Sequence, residues 1–111
     1  VGQAVATPGF RLPARWIIHT VGPNRYAGQT DPGLLASAFR QSLRVAEDVG
    51  ARSVAFPAIG AGAYGWEAET VARAGLGEVL GHAGGVQLVE FVLFTPRLAQ
   101  VFRQVQANLA G

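Results

Sequence analysis

Three times after Pro13 a strand-sized apolar run is followed by a run with helical period, and this alternation restricts the fold more than any other feature of the chain. Arg15–Val21 (RWIIHTV) is rich in β-formers and stops at Gly22-Pro23, a turn signal. A polar, Gly-containing loop, Asn24–Thr30, leads to Asp31-Pro32, where Asp is a helix N-cap and Pro occupies the first helical position, whose N–H has no intrahelical partner. Leu35, Ala38, Phe39, Ser42, Leu43, Ala46 and Val49 then fall on one face, and Gly50 supplies the stop. Ser53–Ile59 (SVAFPAI) is a second apolar strand, with Pro57 weakening its ladder near the end. The Gly-rich stretch Gly60–Gly65 runs into a helix from Trp66 to about His82, with Val71, Ala72, Gly75, Leu76 and Val79 inward. Val86–Phe94 (VQLVEFVLF) is apolar on both faces, as a buried parallel strand is. Thr95-Pro96 repeats the cap-plus-proline signal, and Leu98, Val101, Phe102, Val105 and Leu109 form the inward face of a last helix. The pattern predicts an α/β fold, a mainly parallel (mixed) sheet flanked by helices, with ligands beyond the carboxyl ends of the strands.

Ahead of this alternation, Val1–Thr7 reads as one more strand, ending at Pro8-Gly9, and pairs antiparallel with Arg15–Val21. No linker, repeat or low-complexity stretch divides the 111 residues, so one domain over 1–111 is expected, with half its residues hydrophobic and available for a core. No apolar run is long enough for a membrane helix, and no basic start with an apolar segment marks a secretory signal. The absence of cysteine removes disulfides, thiolate nucleophiles and thiolate metal sites, and the simplest address is cytoplasmic. The net charge is +2 and every basic residue is an arginine. These arginines are spread along the chain instead of forming a basic stripe with aromatics, so nucleic acid is not an expected partner. The chain has no methionine and starts on Val1, already inside a strand, which points to a removed initiator or a start further upstream.

The segment with chemical content is Gly60-Ala61-Gly62-Ala63-Tyr64-Gly65, which follows a buried strand and opens a helix. Its glycines permit positive φ and let backbone N–H groups point together, and the adjoining helix N-terminus favours an anion. No Lys and no Ser/Thr closes the loop, so it is not a P-loop, and its spacing is not that of the dinucleotide fingerprint. Two readings remain: backbone-only binding of a phosphate or diphosphate beside Tyr64, or a Gly-rich connection in which Tyr64 simply packs. Glu67 and Glu69 in the first helical turn oppose an anion site. His19, inside a strand with no neighbouring carboxylate, reads as a hydrogen-bonded structural histidine in preference to a catalytic base. His82 suits a helix end, Glu90 a strand end, and two distant histidines make no metal site. Trp16 and Trp66 are apolar anchors, Trp66 at the rim of the glycine loop.

Several of these segments resemble one family. Gly2-Gln3-Ala4-Val5-Ala6-Thr7-Pro8-Gly9-Phe10, then Leu12-Pro13-Ala14-Arg15, then Ile17-Ile18-His19-Thr20-Val21-Gly22-Pro23 are similar to consecutive motifs of the macro domain. Ser53–Ile59 followed by Gly60–Gly65 resembles its phosphate-loop segment, and Phe91–Phe94 its last core strand. The resemblance covers nearly the whole chain. It implies a three-layer α/β/α fold that binds ADP-ribose or an ADP-ribosylated protein. Gly60, Ala61, Gly62, Ala63, Tyr64 and Gly65 would wrap the diphosphate, with Tyr64 on the distal ribose and Phe94 near the adenine. Where the family usually has Ser-Thr this chain has Gly60-Ala61, which loses two hydroxyls but keeps the backbone donors.

The resemblance also implies that the family's N-terminal strands lie before Val1. Those strands include the Asp that reads adenine, a central Asn-rich strand, and the second Gly-rich loop that carries the catalytic Asp of hydrolytic members. No catalytic residue, metal or cofactor is therefore assigned to this chain. Without a central strand, buried backbone groups stay unpaired at about 1–3 kcal/mol each, against a domain stability of roughly 5–15 kcal/mol. The chain is then expected to exchange a strand with a partner or a second copy, to rearrange its sheet, or to be a piece of a longer protein. Three functions follow: a binding module for ADP-ribose; a hydrolase removing ADP-ribose from proteins or acetyl from O-acetyl-ADP-ribose once the N-terminal part is present; or a non-binding remnant acting through association.

Overall fold

The computed structural model describes residues 1–9, 16–62, 64–82 and 84–110. Its elements run β1 (Ala4–Pro8), β2 (Trp16–Thr20), a 3-10 turn (Arg25–Ala27), α1 (Pro32–Asp48), β3 (Ser53–Pro57), α2 (Ala68–Gly81), β4 (Leu88–Val92) and α3 (Pro96–Ala110). β1 and β2 pair antiparallel, from Ala4 opposite Thr20 to Pro8 opposite Trp16. β3 and β4 pair parallel, from Ser53 opposite Leu88 to Pro57 opposite Val92. Pro57 is the last paired residue of β3, as its missing donor requires. Pro8, expected at the turn, is instead the last ladder residue of β1.

The helix signals act where the sequence places them. Asp31 caps α1, its Oδ1 accepting the Gly33 N–H at 2.9 Å, and Pro32 follows at the first position. The helix stops at Gly50, whose φ of +75° is open to glycine at little cost. Thr95 Oγ1 accepts the Leu98 N–H at 3.1 Å and starts α3. Glu67 precedes α2 without a side-chain cap.

One aromatic cluster joins the helices to the parallel pair. Phe39 of α1 lies edge-on to Phe56 of β3 at 5.3 Å, Phe56 stacks on Phe91 of β4 at 5.8 Å, and Phe91 meets Phe102 of α3 at 5.0 Å. α2 enters this cluster through Gly75, where a Cβ would lie 3.0 Å from both Phe39 and Phe91. Leu35, Leu43, Val71, Ala72, Leu76 and Val105 complete the buried core.

The fold is the expected α/β arrangement, and its layering is specific. All three described helices reach the face of β3–β4 that carries Phe56 and Phe91. The opposite row, Ser53, Ala55, Pro57, Leu88, Glu90 and Val92, is exposed. β4 thus has one covered face, where its sequence reads as buried on both; no second helical layer lies over the outer row among the described residues. Leu109, expected inward on α3, is exposed. The two strand pairs do not join into one sheet: between them lies a cleft of about 1720 Å³. β2 residues Ile18–Thr20 with Val21 and Gly22 line one wall, and β3 with Ala58 and Ile59 lines the other.

At the far end of α1, Glu47 fixes the connection into β4. Its carboxylate accepts the Val86 N–H at 2.9 Å and faces His82 Nε2 at 3.3 Å. Its acidity is raised, first by the Gly85 backbone N–H, then by that of Val86, with His82 adding to it. Among the described residues no helix is long and apolar enough to cross a membrane.

Candidate functional site

The cleft reaches the glycine loop at the carboxyl end of β3. The chain leaves Pro57 through tight turns, Ile59 N–H donating to Pro57 C=O at 3.0 Å and Ala61 N–H to Ala58 C=O at 3.1 Å. Gly60, Gly62 and Gly65 then take φ of +86°, +73° and +80°, a region costly to other residues. Gly60 is required twice over, because a Cβ there would lie 2.8 Å from Trp66 Cδ1 and 3.2 Å from Leu35 Cδ1.

The loop spends several of its own donors. Gly65 N–H donates to Gly62 C=O at 3.0 Å and Trp66 N–H to Gly60 C=O at 3.2 Å. Among the described residues no acceptor meets the Gly60 or Tyr64 N–H, while the parallel bridge between Ala61 and Trp66 turns the Gly62 N–H toward Trp66 C=O. Of the described loop amides, those of Gly60 and Tyr64 are left for an anion, a smaller set than the loop's length suggests.

Of the residues the sequence singles out, Gly60, Ala61 and Tyr64 line the cleft together. Gly62 and Gly65 belong to the same loop but not to that lining. Ala63 lies outside the described residues. Phe94 sits just past the end of β4 with 83% of its surface exposed, and it does not line the cleft. Tyr64 is 38% exposed, so its ring is not consumed by packing.

The charges around the loop are milder than the sequence alone suggests. Glu69 is paired with Arg73 one helical turn on, at 2.9 Å, which offsets one of the two acidic groups at the start of α2. Arg25 lies with its guanidinium carbon 5.5 Å from the centre of the Trp66 ring. His19 lines the cleft and its Nε2 is 2.8 Å from Thr7 Oγ1; it is hydrogen-bonded, as expected, but exposed. No carboxylate lies among the described lining residues. No group of three or more metal-ligating side chains occurs among the described residues.

The Pro23–Gly28 segment is what sequence reasoning missed. It lies against the glycine loop: Trp66 Nε1 donates to Pro23 C=O at 2.8 Å, Arg25 N–H donates to Tyr64 C=O at 3.0 Å, and Tyr26 packs on Gly65. The one available signal was Trp66, a buried indole whose N–H demands an acceptor.

The family model described as Macro domain matches residues 1–75. A macro domain-containing protein of Streptomyces griseus is 50% identical over 107 residues, spanning 96% of this chain and 60% of that protein. A macrodomain of Oceanobacillus iheyensis with ADP superposes with a TM-score of 0.90 at 31% identity, covering 98% of this chain and 59% of that one. A Trypanosoma brucei macrodomain in complex with ADP-ribose superposes with a TM-score of 0.80 at 29% identity, covering 92% and 44%. The chain thus spans about 60% of the length of the Streptomyces relative it matches.

Proposed function

The chain belongs to the macro-domain family, and from that premise we propose that it binds ADP-ribose, free or attached to a protein, with the diphosphate on the Gly60–Gly65 loop. The observation that carries the reading is the loop itself. The Gly60 and Tyr64 N–H groups, with no acceptor among the described residues, lie in a segment held by positive-φ glycines just ahead of α2, beside a cleft and an exposed tyrosine. Backbone donors and a helix N-terminus stabilise phosphate oxygens without a lysine. Tyr64 is assigned to the distal ribose. Phe94, whose ring is bare at the end of β4, is assigned to the adenine, where a flat apolar face stacks well. Solved relatives with ADP and with ADP-ribose support this choice of ligand.

Recognition without turnover is the activity we assign to these 111 residues. Hydrolysis of an ADP-ribose linkage asks for a positioned general base. The described cleft lining supplies no carboxylate, and its His19 is already engaged with Thr7. Removal of ADP-ribose or acetyl is the reading for a longer chain that adds the family's catalytic loop.

Calorimetric titration of ADP-ribose into the 111-residue chain, with AMP as control, tests the proposal. Saturable binding that prefers ADP-ribose is expected, and Gly62→Glu, which sets a carboxylate in the loop, abolishes it. A folded sample that gives no heat with ADP-ribose refutes the binding reading.

A further inference from the structure

The Pro23–Gly28 strap is stiff in its own right. Asn24 Oδ1 accepts the Tyr26 N–H at 3.0 Å, the Gln29 N–H donates to Asn24 C=O at 3.1 Å, and Asn24 N–H donates to Gln29 Oε1 at 2.8 Å. It grips the glycine loop at both ends. Near the start, Trp66 fills the space that a side chain on Gly60 would take, and its indole is tied to Pro23 C=O. Near the end, Arg25 N–H holds Tyr64 C=O, and the Tyr26 ring covers Gly65, where a Cβ would lie 2.9 Å from Cζ. Tyr26 is nonetheless 78% exposed and belongs to no core cluster, so core packing does not account for where it lies.

We propose that Arg25 and Tyr26 are positioning residues for the anion loop, acting on the ligand through Tyr64 and Gly65. The proposal rests on the ADP-ribose reading above. A carbonyl lone pair turned toward a diphosphate repels it, whereas an N–H attracts it. By engaging Tyr64 C=O from the strap side, Arg25 N–H fixes the peptide plane between Tyr64 and Gly65 and leaves the unspent amides of the loop for the ligand. The guanidinium on the Trp66 face and the Tyr26 ring on Gly65 hold the strap in register for that bond.

The backbone donor can be removed selectively. Arg25 is the first residue of the 3-10 turn and Asn24 before it is extended, with φ −103° and ψ 107°, a combination that accepts proline. Arg25→Pro deletes both N–H and guanidinium; Arg25→Ala deletes the guanidinium alone. Amide hydrogen exchange by NMR and ADP-ribose titration are measured on the wild-type chain, Arg25→Ala, Arg25→Pro and Tyr26→Ala. Relative to Arg25→Ala, Arg25→Pro is expected to speed exchange at Gly65 and Trp66, whose N–H groups are held by Gly62 and Gly60 C=O, and to weaken ADP-ribose by about three- to tenfold, the effect of one hydrogen bond. Amides of α1 and β3 stay unchanged, which a merely structural role would not produce.

Equal loop exchange in Arg25→Pro and Arg25→Ala overturns the proposal, as does faster exchange with unchanged ADP-ribose affinity. A wild-type chain that does not bind ADP-ribose removes the functional reading instead. The exchange comparison then still decides whether the strap orders the loop.

Discussion

Alanine at Gly60 separates the two reasons for a glycine at that position. The first is conformational: an L-residue held at φ +86° costs about 1–2 kcal/mol. The second is steric, since the new methyl would stand 2.8 Å from Trp66 Cδ1 and 3.2 Å from Leu35 Cδ1. Leu35 is wholly buried and Trp66 nearly so, so neither can retreat freely, and overpacking of this kind costs about 1–3 kcal/mol. The stiffer unfolded chain returns about 0.4–1 kcal/mol. The net loss is therefore about 1–5 kcal/mol, which lowers a thermal midpoint by roughly 4–20 °C in a domain of this size.

Gly62→Ala is the matched control. Its φ is +73°, but no atom lies within 4 Å of the added methyl, so only the conformational cost applies, about 1 kcal/mol. Thermal and urea unfolding of both variants, followed by far-UV circular dichroism, measure the difference. The Trp66 Nε1–H resonance, downfield while it donates to Pro23, reports whether the indole is displaced in Gly60→Ala alone. Equal losses in the two variants, with the indole resonance in place, would refute the claim that Trp66 dictates Gly60.

Three further outcomes follow from other contacts. Phe39→Ala, at a fully buried ring touching Phe56 and Phe91, is expected to cost about 3–5 kcal/mol and move the urea midpoint sharply down. Gly84→Ala places a methyl on the Glu47 carboxylate, so it lowers the melting temperature in the wild-type chain but not in a Glu47→Ala background; a double-mutant cycle reads that coupling. Glu47 also shapes the acid limb of stability. Its carboxyl ionises below the ordinary glutamate range, chiefly through the Gly85 and Val86 N–H groups. The stabilisation is thus present above that range and lost as pH falls through the lowered value, and Glu47→Gln flattens this part of the melting temperature against pH.

What could be read from sequence was local. Asp31-Pro32, Gly50 and Thr95-Pro96 mark helix ends because caps involve neighbours a few residues apart, and all three act as expected. The glycine loop was visible for the same reason. Which amides it keeps free was not visible, since that depends on the turns it folds into. The strap was hidden because its partners lie about forty residues away: nothing in Asn24–Thr30 announces that Arg25 N–H meets Tyr64 C=O. Periodicity likewise could not tell how the rows of β4 are used. Leu88, Glu90 and Val92 face out while Val89 and Phe91 meet helices, a choice made by Phe39, Phe56 and Phe102 from three other elements.

The adjacency of strap and loop follows from how the two strand pairs meet. The strap leaves the carboxyl end of β2 and the glycine loop leaves the carboxyl end of β3, the edge at which α/β folds hold their ligands. Along most of their length the strands stand apart across the cleft. At that edge they touch: a Cβ on Gly22 would lie 2.7 Å from Ile59 Cγ2. Glycine at 22 therefore permits this approach of the two pairs, and Pro23 immediately after it supplies the carbonyl that Trp66 needs. A larger residue at 22 would push the hairpin off β3 and take Pro23 C=O and Arg25 N–H away from the loop together. The geometry of the candidate site is set by this one contact between strand ends as much as by the glycines within the loop.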